Sequence, residues 1–359
     1  MLAAKKIGEN EQPVLSGKQT DKQKNILKRV KKLLDDFGKP TIPKLVDLWN
    51  NQQEELNFAD FLKIYTVCFY YYDVIEPERE EARQEELNNI LAPELVREFA
   101  DNTMTETIMQ AMGQSVIDIA DDFPVTEKAW VTIEDLKREW STQRADDFYI
   151  YVTEPNYDNV KNTTEFGIKN GYSPNVILDI VKNVIGLNKV QCERYKKHFK
   201  GVLEELKQNN PNTNINDLIK RAAKITRRYA NKLRIERAKS IIRSELVLAN
   251  SKIQEEYIKL LQKFGLAGQV VKRWVTSELD NVCALCRGLN GVTVKVGEDF
   301  PDTIDVIGKN GVIIAHTLKN FFGEHRFYPP VHPNCCCGIE YIEVAAGPQN
   351  RFVQQPVVR

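Results

Sequence analysis

Cys283-Ala284-Leu285-Cys286 and His332-Pro333-Asn334-Cys335 place two pairs of metal-ligating side chains at the same two-residue spacing. Two intervening residues let both side chains of a pair converge on one tetrahedral centre, which is the chemistry of a structural zinc site. The spacing nominates Cys283, Cys286, His332 and Cys335 as the ligands, with the 45 residues between the pairs closed into a loop. Cys336 and Cys337 follow directly, and in an extended segment Cys336 points away from its neighbours. The competing reading is a set of ordinary reduced cysteines in a small core. The histidine partner favours metal, as does a module too small to be held by its apolar residues alone. Thioredoxin-like redox use of Cys283 and Cys286 is not expected, because no βαβ pattern surrounds them. The remaining two of the seven cysteines, Cys68 and Cys192, stand alone, which suits a reduced protein better than a disulfide framework.

The elements that must hold these ligands are short strands. Val270 to Thr276, Val292 to Val296 and Ile339 to Ile342 are β-rich, roughly alternating and punctuated by glycines. Ahead of them, Ile242, Leu246, Ala249, Ile253, Tyr257, Leu260 and Phe264 recur at steps of three and four. That stripe predicts a helix from Ala238 to Phe264, capped by Gly265. Residues 22–145 read as helical, with breaks at Pro40, Pro43, Pro77 and Pro93 and a helix start at Thr132. Leu62, Tyr65, Thr66, Phe69 and Tyr72 mark a core-facing stripe there. Gly171, Ser173 and Pro174 end one helix and begin another, whose Ile177, Ile180, Val181 and Val184 face inward. Asn209 to Asn214 reads as a turn and an internal boundary.

The expected class is α+β, a mostly helical body with a small β-rich Cys/His zinc-binding module at the C-terminus. The expected division is a flexible tail at 1–21, a helical N-terminal domain at 22–148 and a helical middle region at 149–233. A long helix plus the zinc module occupies 234–345, and a flexible tail 346–359. At 359 residues and 42% hydrophobic composition the chain can bury sizeable cores. No stretch approaches the roughly 20 apolar residues of a membrane span. Residues 1–21 lack the apolar core of a secretory signal, so a cytoplasmic origin is expected.

Several motifs follow one another in a recognisable order: Trp274-Val275-Thr276-Ser277, Asp280, Cys283, Cys286 and Leu289-Asn290-Gly291, then Pro329 through Cys337. The order resembles the C-terminal domain of the phage Mu protein F-like minor head proteins, of the phage head morphogenesis family. Ala238 to Glu245 resembles that family's arginine-Ser/Thr-glutamate helix. The likeness follows the order of elements over 155–345 and is specific over about 234–340. The family usually has a basic residue between the last two cysteines, where this chain has Cys336. That departure leaves the fourth ligand open, with Cys337 the alternative to Cys335 because it also fits the family's cysteine position. The resemblance implies a structural, non-enzymatic component of a tailed phage or prophage virion. It implies a place in the capsid near the portal vertex, assembly in the host cytoplasm, and a part in head assembly, DNA packaging or ejection. Its partners would be the portal protein, other capsid proteins and packaged double-stranded DNA, with no membrane and no small-molecule substrate.

Charge adds detail. Fifty basic and fifty acidic residues cancel, yet Leu218 to Arg243 carries ten basic residues against one acid. Lys220, Arg221, Lys224, Arg227, Arg228 and Lys232 are the expected DNA- or portal-binding residues. Glu76 to Glu86 leans acidic. Arg243 and Glu245 are expected to anchor the module, with Glu245 at the edge of the buried stripe and paired to Arg273, Arg287 or backbone donors. A metal-dependent HNH-like nuclease or DNA-processing protein is the alternative, for which Glu324-His325 is the candidate dyad and His316 and His332 offer less. Arg243-Ser244-Glu245 does not suit an ADP-ribosyltransferase, which spreads such residues over separate strands.

Overall fold

The computed structural model describes residues 19–70, 90–91, 93–123, 126–276, 282–301, 303–307, 313–317 and 328–344. The acidic run Glu76 to Glu86, Tyr72, Pro77, Glu324-His325, nearly all of 1–21 and all of 346–359 lie outside the described residues. So do the side chains of Phe69 and His316.

Nine helices precede the first strand: α1 (Asp21–Leu33), α2 (Lys39–Glu55), α3 (Phe58–Tyr70), α4 (Pro93–Glu98), α5 (Thr105–Ile119), α6 (Glu127–Lys169), α7 (Pro174–Val184), α8 (Lys189–Asn209) and α9 (Ile215–Lys263) among the described residues. Then come β1 (Gln269–Val275), α10 (Ala284–Leu289), β2 (Thr293–Lys295), β3 (Thr303–Ile307), β4 (Ile313–Thr317) and β5 (Gly338–Val344). The class is α+β, as the sequence leads one to expect. An antiparallel sheet runs in the order β2-β1-β5, with Val271 opposite both Lys295 and Ile342, and β3 and β4 form a separate antiparallel pair. No described helix is long and apolar enough to cross a membrane.

Local chemistry explains most boundaries and several departures. Thr20 and Gln23 form a reciprocal capping box that starts α1. A π-helical turn at Leu34–Gly38 precedes α2, so Pro40 and Pro43 fall at the start of a fresh helix and Pro43 does not break it. Thr126, not Thr132, caps α6; Thr132 lies inside, its hydroxyl bonded to the Lys128 carbonyl. Among the described side chains of α3, Phe61, Ile64 and Cys68 are buried and the expected Tyr65 packs against them, while Leu62 and Thr66 are exposed, so the core-facing stripe is centred one residue from the expected one. Gly171 takes a positive φ of 68° after α6, and Pro174 opens α7.

The long helix is longer than its most obvious stripe. Leu218, Ile219, Ala222, Ala223, Thr226, Ala230 and Leu233 are buried between the basic residues, so α9 runs 49 residues, about 70 Å. Gly265, at φ 70°, ends it, and the Leu266 N–H reaches back to the Leu261 carbonyl.

The chain divides into two compact units, each assembled from separated segments: 36–110 with 138–242, and 1–35 with 111–137 and 243–359. The division expected from sequence follows chain order, whereas these units do not. In the first unit, α7 is buried on two sides, by α3 and α6 residues such as Phe61, Ile64 and Val160, and by α8 and α9 residues such as Tyr195, Phe199 and Ile219. In the second, α1 lies on β5, where a Cβ on Gly338 would come within 2.6 Å of Ile26.

Candidate metal centre

The Cys/His residues meet where β1 ends and β5 begins. Cys283 is the N-cap of α10, and its Sγ accepts the Cys286 N–H at 3.3 Å. One turn of helix thereby aims both sulfurs the same way. The second pair is a tight turn, closed by the Cys335 N–H on the His332 carbonyl and made possible by Asn334 at φ 63°. His332 Nδ1 lies 2.7 Å from the Pro333 carbonyl, to which a protonated Nδ1 donates. That tautomer leaves the Nε2 lone pair facing Cys283 and Cys286, each 3.0 Å away.

Two triads result, Cys283/Cys286/His332 and Cys286/Cys335/Cys337, each with its ligand atoms within 4.8 Å of one another. Cys286 belongs to both. Its Sγ is 3.8 Å from that of Cys335, near the edge of about 3.8 Å that a tetrahedral zinc–thiolate site would have. The sulfur-to-nitrogen distances are shorter than such an edge and correspond to hydrogen bonds. No cysteine is in a disulfide, and Cys336 is exposed as the extended segment predicts. Either triad can hold a metal ion.

The electrostatics point the same way. Contacts with Cys335 and then Cys337 push the Cys286 thiol well above the ordinary cysteine range. Contacts with Cys286 and then Cys335 hold Cys337 well below it. The Cys337 sulfur also lies 3.4 Å from the Thr276 hydroxyl, a donor to it once the thiol has ionised. Assembling several thiolates here requires positive charge.

The motif segments bind one another. Asn290 Oδ1 accepts the Thr276 N–H at 3.0 Å, Gly291 donates to the Trp274 carbonyl, and Trp274 donates to that of Val292. Trp274 is fully buried and meets Phe300 edge-on at 5.1 Å.

No protein family, curated protein or solved structure matches the chain.

Glu245 is 2% exposed and so sits within the buried stripe, not at its edge, and Arg243 is half-buried. Arg273 instead reaches Glu340 at 3.5 Å, and Arg287 donates to the Val282 carbonyl. The carboxylate that visibly ties α9 to the sheet is one the sequence reading passed over, Glu255. It takes Lys272 Nζ of β1 at 2.8 Å, the Gly297 N–H at 2.7 Å and the Tyr341 hydroxyl of β5 at 3.2 Å. Neither Glu255 nor Lys272 has any exposed side-chain surface. Burial lowers the Lys272 ammonium and Glu255 opposes that shift. A lysine inside the apolar run Val270 to Val275 was the available signal.

Lys220, Arg221, Lys224, Arg227, Arg228 and Lys232 are all exposed on α9. Two other members of the basic stretch are not surface charges. Arg234 donates to the carbonyls of Lys182, Asn183 and Ile185, which end α7. Arg237 donates to those of Leu187 and Tyr151 and lies 5.2 Å from the centre of the Trp49 ring. Burial lowers the two to about 9 and about 10, so both stay charged at neutral pH.

Proposed function

We propose that this chain is a minor head protein of a tailed phage or prophage, with a terminal module clasped by one structural zinc ion. What supports the reading is that several of the segments carrying the family resemblance are in contact. Trp274 to Thr276 is hydrogen-bonded to Asn290 and Gly291, and both Cys/His turns close on the same point. Cys283, Cys286, His332 and Cys335 would be the ligands, with Cys337 as the alternative to Cys335. Four protein ligands leave no open position, so the ion's task would be to hold the two turns together. The protein would act without catalysis, near the portal, in head assembly, DNA packaging or ejection.

The exposed cations of α9 would serve the partner contact, toward the portal or packaged DNA. Phosphate contacts of this kind are sequence-independent and salt-sensitive. The test of the reading is composition: mass spectrometry of purified particles from the strain encoding the chain should find it at low copy number. Co-expression should retain it on the portal protein. Its absence from particles that are otherwise complete overturns the proposal. For the DNA contact, combined neutralisation of Lys224, Arg227, Arg228 and Lys232 should abolish retention on DNA at low salt; unchanged retention removes that role.

A further inference from the structure

A groove of about 720 Å³ runs between α8 and α9, and its chemistry differs from that of a plain basic face. One face of α9 forms its floor, with Ile225, Arg228, Tyr229, Lys232, Ile235 and Lys239 at helical spacing. Ile225 is 54% exposed and Ile235 40%, and both flank the same groove. The step of ten residues between them is about 15 Å, close to three helical turns. His198 of α8 packs on Tyr229 with ring centroids 4.5 Å apart, and the groove continues past them beside Gly201, where an added Cβ would meet nothing within 4 Å.

The charges are one-sided. Arg228, Lys232 and Lys239 make no ion pair among the described residues. Of the acids along it, Glu236 is engaged by Arg194 at 3.7 Å, and Glu205 lies in the continuation beside Gly201. We propose that this groove receives an amphipathic helix of a partner protein, apolar on the face that meets Ile225 and Ile235 and acidic along its flanks. Helix-in-groove recognition uses this combination, with apolar anchors every three to four residues and flanking charge that sets orientation. A phosphate backbone would gain from the cations but has nothing to place against two isoleucines and a tyrosine. The proposal refines the partner contact assigned above to this helix, and it is read by binding and not by particle composition, so the two can fail separately.

The test uses the full chain and a labelled helical peptide of about 20 residues, with leucines at three–four spacing on one face and glutamates on its flanks. Anisotropy should show saturable binding with a Kd below about 100 µM. Ile225→Glu with Ile235→Glu should weaken it at least tenfold, and so should Lys232→Glu with Lys239→Glu. These positions are exposed, and unchanged circular dichroism and melting temperature verify the fold of each variant. A glutamate-flanked peptide without the leucines should bind at least tenfold more weakly. Absence of saturable binding, or binding indifferent to the isoleucine pair, overturns the proposal. Double-stranded DNA that binds, and responds only to the lysine pair while the peptide does not bind, would assign the groove to nucleic acid instead.

Discussion

Cys286 is the residue on which the candidate metal centre turns, because it alone belongs to both triads. Cys286→Ser is therefore expected to abolish retention of zinc after gel filtration, measured by elemental analysis of the full chain, whereas Cys336→Ser should leave it near one ion per chain. Cys335→Ser and Cys337→Ser identify the fourth ligand, since only one of them should release the metal. A second residue-scale expectation concerns the buried pair Glu255 and Lys272. Glu255→Ala strips Lys272 of its partner and should cost about 3–5 kcal/mol in denaturant unfolding. Glu255→Leu combined with Lys272→Met should recover most of that loss, because desolvation of the pair offsets much of its attraction. The cysteines and histidine that gather into the two triads were legible from spacing and residue type alone. The Glu255 network was not, since nothing local distinguishes a glutamate at a helix's buried face from one at its edge until the sheet is folded over it.

Among the elements, α6 shows how a helix tolerates an internal proline. Pro155 has no N–H for the Tyr151 carbonyl four residues earlier. Arg237 supplies that donor from α9, at 3.2 Å. The two residues should therefore be coupled. Arg237→Met is expected to cost at least about 2 kcal/mol, and about 1 kcal/mol less in a Pro155→Ala background, where the backbone donor returns. A double-mutant cycle of unfolding free energies measures the difference, and strict additivity would exclude the coupling. The same arginine explains why charge misled the reading of α9. Ten basic residues look like one surface from sequence, but two of them are buried, Arg234 on the carbonyls that end α7 and Arg237 on those of Leu187 and Tyr151. Helical periodicity located the second half of α9 well, because its apolar residues are large. Its first half buries three alanines and a threonine between Leu218, Ile219 and Leu233, which leaves a fainter stripe.

For the whole molecule, the class and the C-terminal module could be read in advance, and the grouping of segments could not. Strand and helix patterns are local, whereas the contact of α1 with β5 joins residues some 300 positions apart. Gln23 reaches Glu340 at 3.2 Å, and Gln19 hydrogen-bonds the Thr276 carbonyl. The Cys/His centre should therefore depend on the N-terminal helix. Removing residues 1–33 is expected to lower the melting temperature of the zinc-loaded protein by several degrees and to make β5 susceptible to limited proteolysis. Gly338→Val, which drives a side chain into Ile26, should reproduce the effect in the intact chain.

That contact also sets an order in time. During synthesis α1 leaves the ribosome long before its partner strand exists, while the unit built from 36–110 and 138–242 already has all its pieces once α9 has emerged. The face of α1 that carries Ile26 and Val30 must then wait for its partner until β5 has been made. The first of the described helices is thus among the last to be fully packed, and it offers an apolar face to a chaperone bound to the nascent chain.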